Sequence, residues 1–122
     1  MSRVLVIDDD EHVRETVWAM LDAAGFSATV TASGKDGLDR FQKEQFDLVI
    51  CDIVMLETIT HIRQIAPQLP ILAISGGSIA DKDIELAQAM GVTHTIARPF
   101  SREDLLSTIR VCVIETTSDL LS

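Results

Sequence analysis

Aromatic residues are scarce, at 4% of a 122-residue chain whose apolar fraction is 47%. A core built from this chain is therefore aliphatic. Basic residues are few as well, ten against nineteen acidic, for a net charge of −9. That balance argues against nucleic-acid binding by this domain, because phosphate contacts need a basic face. The acids are spread along the chain and do not form a tail. Cys51 and Cys112 fall in a strand and a helix pattern, with no CxxC or Cys/His spacing to suggest zinc. They read as buried, reduced thiols. No apolar run approaches the length of a bilayer span. Met1-Ser2-Arg3 leads directly into a strand pattern with no signal-peptide architecture, so a cytoplasmic protein is expected. Repeats, linkers and low-complexity segments are absent, and the length suits a single domain over 1–122.

What is present is a pair of apolar runs that stop at carboxylates. Leu48, Val49, Ile50 and Cys51 run into Asp52, and Val4, Leu5, Val6 and Ile7 run into Asp8, Asp9 and Asp10. Unbroken apolar runs of this length are strands covered on both faces, as in a parallel sheet. Ligands bind such sheets at the C-terminal strand ends. Several carboxylates at one edge call for a cation, raised pKa values, or both.

The remaining pattern alternates strand and helix. Strands are expected at 3–7, 27–32, 47–51, 71–75 and 92–97. The first helix runs from about Asp10 to Ala24, with Val13, Val17, Met20 and Leu21 inward and Gly25 as its stop. Trp18 lies at the edge of that apolar face and is expected to pack. Ser33 caps a second helix with Leu38 and Phe41 inward. The third spans Met55 to Ala66, with Leu56, Ile59, Ile62 and Ile65 on one face and Pro67 as its stop. Ser78 or Asp81 starts the fourth, which Gly91 ends, and Ser101 with Asp104 forms a capping box for the last. Residues 115–122 are a frayed helix end or the start of a connection. Short crossovers between strands give a doubly wound, five-stranded parallel sheet in the order 2-1-3-4-5, an α/β fold with helices on both faces.

This topology brings Asp8, Asp9, Asp52, Ser75 and Arg98 to one edge. Clustered carboxylates suit Mg²⁺, a hard cation satisfied by oxygen ligands. A carboxylate beside Mg²⁺ can attack a phosphoryl group and become an acyl phosphate. The new charge then needs a metal, a hydroxyl and a cation around it, and Ser75 and Arg98 are placed to supply the last two. The plain alternatives are turn residues for Asp8 and Asp9, a helix cap for Asp10, and an Arg98 that only neutralises the acids by pairing with Asp52. His12, His61 and His94 share no spacing and read as solvated surface.

Four motifs in order now carry a resemblance. They are Val4-Leu5-Val6-Ile7-Asp8-Asp9-Asp10-Glu11, Asp47-Leu48-Val49-Ile50-Cys51-Asp52-Ile53-Val54-Met55, Pro70-Ile71-Leu72-Ala73-Ile74-Ser75-Gly76 and Ala97-Arg98-Pro99-Phe100. Together they resemble the receiver domain of two-component response regulators, from Val4 to about Glu115. The resemblance implies that Asp52 is the phosphoacceptor, phosphorylated by a histidine kinase or a histidine phosphotransfer protein. It implies that Asp8, Asp9, Asp52 and the backbone carbonyl of Val54 hold Mg²⁺ and that Ser75 is the switch hydroxyl. Small Gly76 leaves access for the phosphoryl group. Such a domain is a switch with self-phosphorylation and self-dephosphorylation, not a turnover enzyme, and an effector domain or partner protein reads its state. A phosphatase or phosphotransferase would need a second acid and a covering segment, which a chain this short does not offer.

Three departures from the family stand out. Arg98 replaces a nearly universal lysine, Thr95 occupies a usually aromatic position, and the third helix begins about five residues early after Asp52. They leave open an alternative, a phosphorylation-independent pseudo-receiver locked by an Arg98–Asp52 pair and acting as a docking or dimerisation module. The last helix, with Val111, Cys112, Val113, Ile114, Leu120 and Leu121, has more apolar positions than one buried face requires, so a homodimer is also expected.

Overall fold

The β-branched and aliphatic runs form the expected strands. The computed structural model describes residues 2–76 and 81–121. The strands are β1 (Arg3–Ile7), β2 (Ser27–Thr31), β3 (Leu48–Asp52), β4 (Ile71–Ser75) and β5 (His94–Ala97). All neighbours pair in parallel, in the order β2-β1-β3-β4-β5. The helices are α1 (Glu11–Ala23), α2 (Gly34–Lys43), α3 (Leu56–Ile65), α4 (Asp81–Ala89) and α5 (Arg102–Leu121). Of the two expected starts of the fourth helix, Ser78 lies outside the described residues and Asp81 is where α4 begins. Residues 115–121 continue α5 instead of leaving it.

Alternation along each buried strand sorts the core into two layers. Val4, Val6, Ile50, Leu72 and Ile74 pack with Val17 and Leu21 of α1 and Leu105 and Ile109 of α5. Leu5, Ile7, Val49, Cys51 and Ala73 pack on the other face with Ile59 and Ile62 of α3 and Ala87 of α4. Local chemistry sets the helix ends. Asp10 caps α1 by accepting from the N–H groups of His12 (2.9 Å) and Val13 (3.3 Å). Ser33 caps α2 through Asp36 N–H (3.1 Å). Ser101 and Asp104 form the reciprocal box of α5 at 3.0 and 3.3 Å. Gly25 and Gly91 follow α1 and α4 with φ of +89° and +109°, a conformation glycine adopts without steric cost.

Two expectations about packing are corrected. Trp18 is 44% exposed. It stands one 100° step round the helix from Val17, which places it past the edge of the buried stripe. Ile65 is 51% exposed, because it is the last residue of α3 and lies beyond the layer that Ile59 and Ile62 fill.

Arg63 was not singled out by the sequence. It joins the end of α3 to the turn before β5, donating from Nε (3.0 Å) and Nη2 (2.6 Å) to the Gly91 carbonyl and from Nη1 to the carbonyls of Ala66 (2.9 Å) and Pro67 (3.0 Å). Helix carbonyls left over at a C-terminus need such donors. Arg63→Met keeps the stem and removes the donors, and it is expected to cost about 2 kcal/mol in urea unfolding with an unchanged m-value.

Candidate functional site

Strand register assembles the site. Ile7 pairs with Cys51, and Asp52 with Ile74, so Asp8 and Asp52 leave adjacent strands at the same level and Ser75 follows on the next. Ser75 pairs with Ala97, and Arg98 N–H donates to the Ser75 carbonyl (2.9 Å), which holds Arg98 beside the same edge. The sequence-predicted residues are therefore brought together, with one change of partner described below.

Asp8 is 1% exposed and Asp52 8%, whereas Asp9 faces solvent. Carboxylate oxygens of Asp8, Asp9 and Asp52 lie within 4.8 Å of one another. Oδ1 of Asp8 accepts from Asp10 N–H (2.9 Å), but its Oδ2 is buried without a hydrogen-bond partner. Burial pushes the Asp8 carboxyl above the usual carboxylate range, against the Asp10 hydrogen bond, and the charges of Asp52 and Asp9 add to the rise. A buried, orphaned carboxylate oxygen facing two further carboxylates is the donor set a hard divalent cation satisfies, so these residues fit Mg²⁺.

Asp52 is held by the short connection that follows it. Ile53, Val54 and Met55 are all that separate it from α3. Val54 N–H donates to Asp52 Oδ1 (3.1 Å) and Met55 N–H to the Asp52 carbonyl (3.0 Å). Ile53 is buried and Met55 packs into the α3 layer, which anchors the turn, while the Val54 side chain is 71% exposed. The early start of α3 expected from the sequence is thus real, and it puts Thr58 against Gly34, where any β-carbon would collide with the threonine hydroxyl. Ser75 is 1% exposed, and its hydroxyl donates to the Ile96 carbonyl at a long 3.5 Å.

Arg98 departs from expectation. Its guanidinium pairs with Asp10 rather than Asp52, Nη1 lying 3.7 Å from Asp10 Oδ2. The lock proposed for a pseudo-receiver is therefore not formed. Extended arginine side chains choose among several acids at once, and one-dimensional spacing does not resolve that choice. The sequence also missed Arg14, whose Nη1 donates to the Asp8 carbonyl (2.8 Å) and pins the end of β1 from α1. A cation one turn into a helix that follows an acidic strand end was the available signal. His12 and His61 are exposed, as expected, and His94 is half-buried.

Among the described residues no helix is long and apolar enough to cross a membrane. The family model of the response regulator receiver domain matches residues 4–110. The chain is 30% identical over 122 residues to response regulator MprA of Mycolicibacterium vanbaalenii, covering 96% of this chain and 52% of that one. It is 28% identical to the transcriptional regulatory protein ZraR of Escherichia coli, covering 94% and 27%. The chain thus spans about half, or less, of the curated relatives it matches. Among solved structures it resembles chemotaxis protein CheY4 of Vibrio cholerae, with a TM-score of 0.86, 28% identity and coverage of 92% and 98%. NtrX of Brucella abortus shares the fold, with a TM-score of 0.89, 22% identity and coverage of 97% and 27%. Strand order, an acidic strand edge and a family match over most of its length agree: the chain belongs to the response regulator receiver domains of two-component signal transduction.

Proposed function

We propose that Asp52 is the phosphoacceptor of this receiver domain and that transfer onto it is Mg²⁺-dependent. The observation that carries the reading is the convergence of Asp8, Asp9 and Asp52 within 4.8 Å around a buried Asp8 oxygen with no partner. Val54 N–H engages Oδ1 of Asp52 and so orients Oδ2 as the attacking atom. Oδ2 forms the bond to phosphorus as the P–N bond of a phosphohistidine breaks, and the departing imidazole takes its proton from solvent. Hydrolysis runs through attack of water on the same phosphorus and restores the carboxylate. Asp8, Asp9, Asp52 and the Val54 carbonyl would hold the cation, which supplies charge neutralisation to the phosphoryl oxygens. The Ser75 hydroxyl turns from Ile96 to a phosphoryl oxygen, and Arg98 supplies the positive charge.

The donor is a histidine kinase or a histidine phosphotransfer protein, and the output passes to an effector domain or partner protein. On α5, Val111, Val113 and Ile114 are 44%, 41% and 57% exposed, which supports a second copy of the chain as a further partner. The site is a switch acting in the cytoplasm, and direct contact with nucleic acid is not part of the reading, given the net charge of −9.

Acetyl phosphate with Mg²⁺ tests the proposal. The folded chain should gain one phosphoryl group by intact mass, and EDTA should prevent it. A folded chain with no gain at any donor concentration overturns the reading.

A further inference from the structure

The acceptor reading leaves open what Arg98 does before a phosphoryl group arrives. Backbone pairing fixes its Cα beside Ser75, yet the side chain turns toward α1. Its Nη2 lies 3.8 Å from where a β-carbon on Gly76 would stand, so the guanidinium bridges the mouth of the site between Gly76 and Asp10. Nε is buried and has no hydrogen-bond partner. The Asp10 carboxylate divides its oxygens: Oδ1 caps α1, and Oδ2 faces Arg98.

We propose that Asp10 is a positioning residue that holds Arg98 off Asp52, and that a phosphoryl group on Asp52 takes the guanidinium over. The proposal rests on the acceptor reading. The resting pair is suited to exchange. At 3.7 Å it is too long for a hydrogen bond, and the two side chains are 38% and 48% exposed, a setting in which ion pairs are weak. An acyl phosphate brings more charge and three acceptor oxygens, which the planar arginine fork meets in bidentate fashion. Exchange also supplies an acceptor for Nε. Lysine, a point charge on one nitrogen, has no planar pair of donor nitrogens to offer. Loss of Arg98 from Asp10 is felt at once on α1, because the same carboxylate caps it. It is felt also in the cleft of about 200 Å³ that Asp10, His12 and Val13 share with Arg98 and Phe100. In a chain with Thr95 where the family has a ring, this is a route from the acceptor to a surface that needs no aromatic switch.

The test uses the whole chain with Asp10→Asn, Arg98→Gln and the double variant. Asparagine caps a helix as well as aspartate does, so α1 keeps its cap while the charge is removed. Two readouts are taken: phosphoryl uptake from acetyl phosphate with Mg²⁺ by intact mass, and the Arg98 Nε–Hε resonance by ¹H–¹⁵N NMR. The wild-type Nε resonance should move on phosphorylation, together with the His12 and Val13 amides. In Asp10→Asn it should be displaced before any donor is added, and uptake should rise about twofold to fivefold, the scale of one exposed ion pair. In the Arg98→Gln background the same substitution should change uptake little. An equal rise in both backgrounds would overturn the proposal, because it would report only easier approach of an anionic donor. So would phosphorylation that leaves the Nε resonance in place. No uptake by the wild-type chain would overturn the acceptor reading and the proposal together, whereas uptake with an unmoved resonance overturns the proposal alone.

Discussion

Asp52→Asn will take up no phosphoryl group under conditions that label the wild-type chain to completion. The amide has the shape of the carboxyl and its oxygen still accepts from Val54 N–H, so the turn into α3 is preserved. It has no anionic oxygen to attack phosphorus. Removing a covalent nucleophile from an otherwise intact site costs at least about 10³-fold in rate. Intact mass after a fixed exposure to acetyl phosphate and Mg²⁺ measures the loss. Retained uptake would place the acceptor on another residue, and Asp8 and Asp9 would be the next to replace.

Asp8→Asn should make the ion-free protein more stable and the protein in Mg²⁺ relatively less so. Burial raises the Asp8 carboxyl above its ordinary value of 3.8. Between that value and the raised one, the folded chain binds a proton that the unfolded chain has lost. Stability therefore falls as pH rises through this window, and at neutral pH the ionised form carries the whole cost. Asparagine removes the charge and keeps the shape. The ion-free variant should gain on the order of 1 kcal/mol at pH 7, a Tm rise of a few degrees, and the advantage should vanish below the ordinary carboxyl pKa. Mg²⁺ binding to the folded state raises the wild-type Tm by mass action. With a ligand gone, the variant's affinity should fall at least about tenfold and its Tm should barely respond. Thermal melts at two pH values with and without Mg²⁺ decide the matter. A variant that melts lower without the ion, or responds to it as wild type does, would remove Asp8 from the cation site.

The fold was legible because its three central strands are buried on both faces. Runs such as Val4–Ile7 and Ile71–Ile74 have no polar position to blur them, and parallel pairing in a twisted sheet leaves few topologies to choose from. The site followed from the fold, since residues that end adjacent parallel strands must share an edge. What stayed illegible lay on exposed or half-exposed side chains. Trp18 and Ile65 continue an apolar period past the point where a neighbour covers it, and periodicity carries no information on where cover stops. Arg98 pairs with Asp10 and acts through its charge on Asp8, and a rotamer, not the sequence spacing, selects its partner. Arg63 acts on carbonyls of a turn formed by distant residues, which side-chain spacing does not encode. The short Ile53–Met55 connection could be counted in the sequence, but its accommodation could not, because the close approach of Thr58 to Gly34 depends on how α3 settles against α2.

The two-layer core has one more consequence, and it concerns time rather than geometry. Cys51 and Cys112 are both fully buried and neither is in a disulfide. They lie on opposite faces of the sheet, Cys51 on β3 beneath α3 and α4, Cys112 on the inward side of α5. Burial, with the neighbouring Asp52 and Asp8 charges, pushes the Cys51 thiol far up, so it is inert while its layer is closed. Each face of the molecule thus carries its own native clock. A thiol reagent reaches one cysteine only when α3 and α4 lift, and the other only when α5 peels away. Equal modification rates would mean that the halves of the core open as a single unit, and unequal rates would rank their local stabilities.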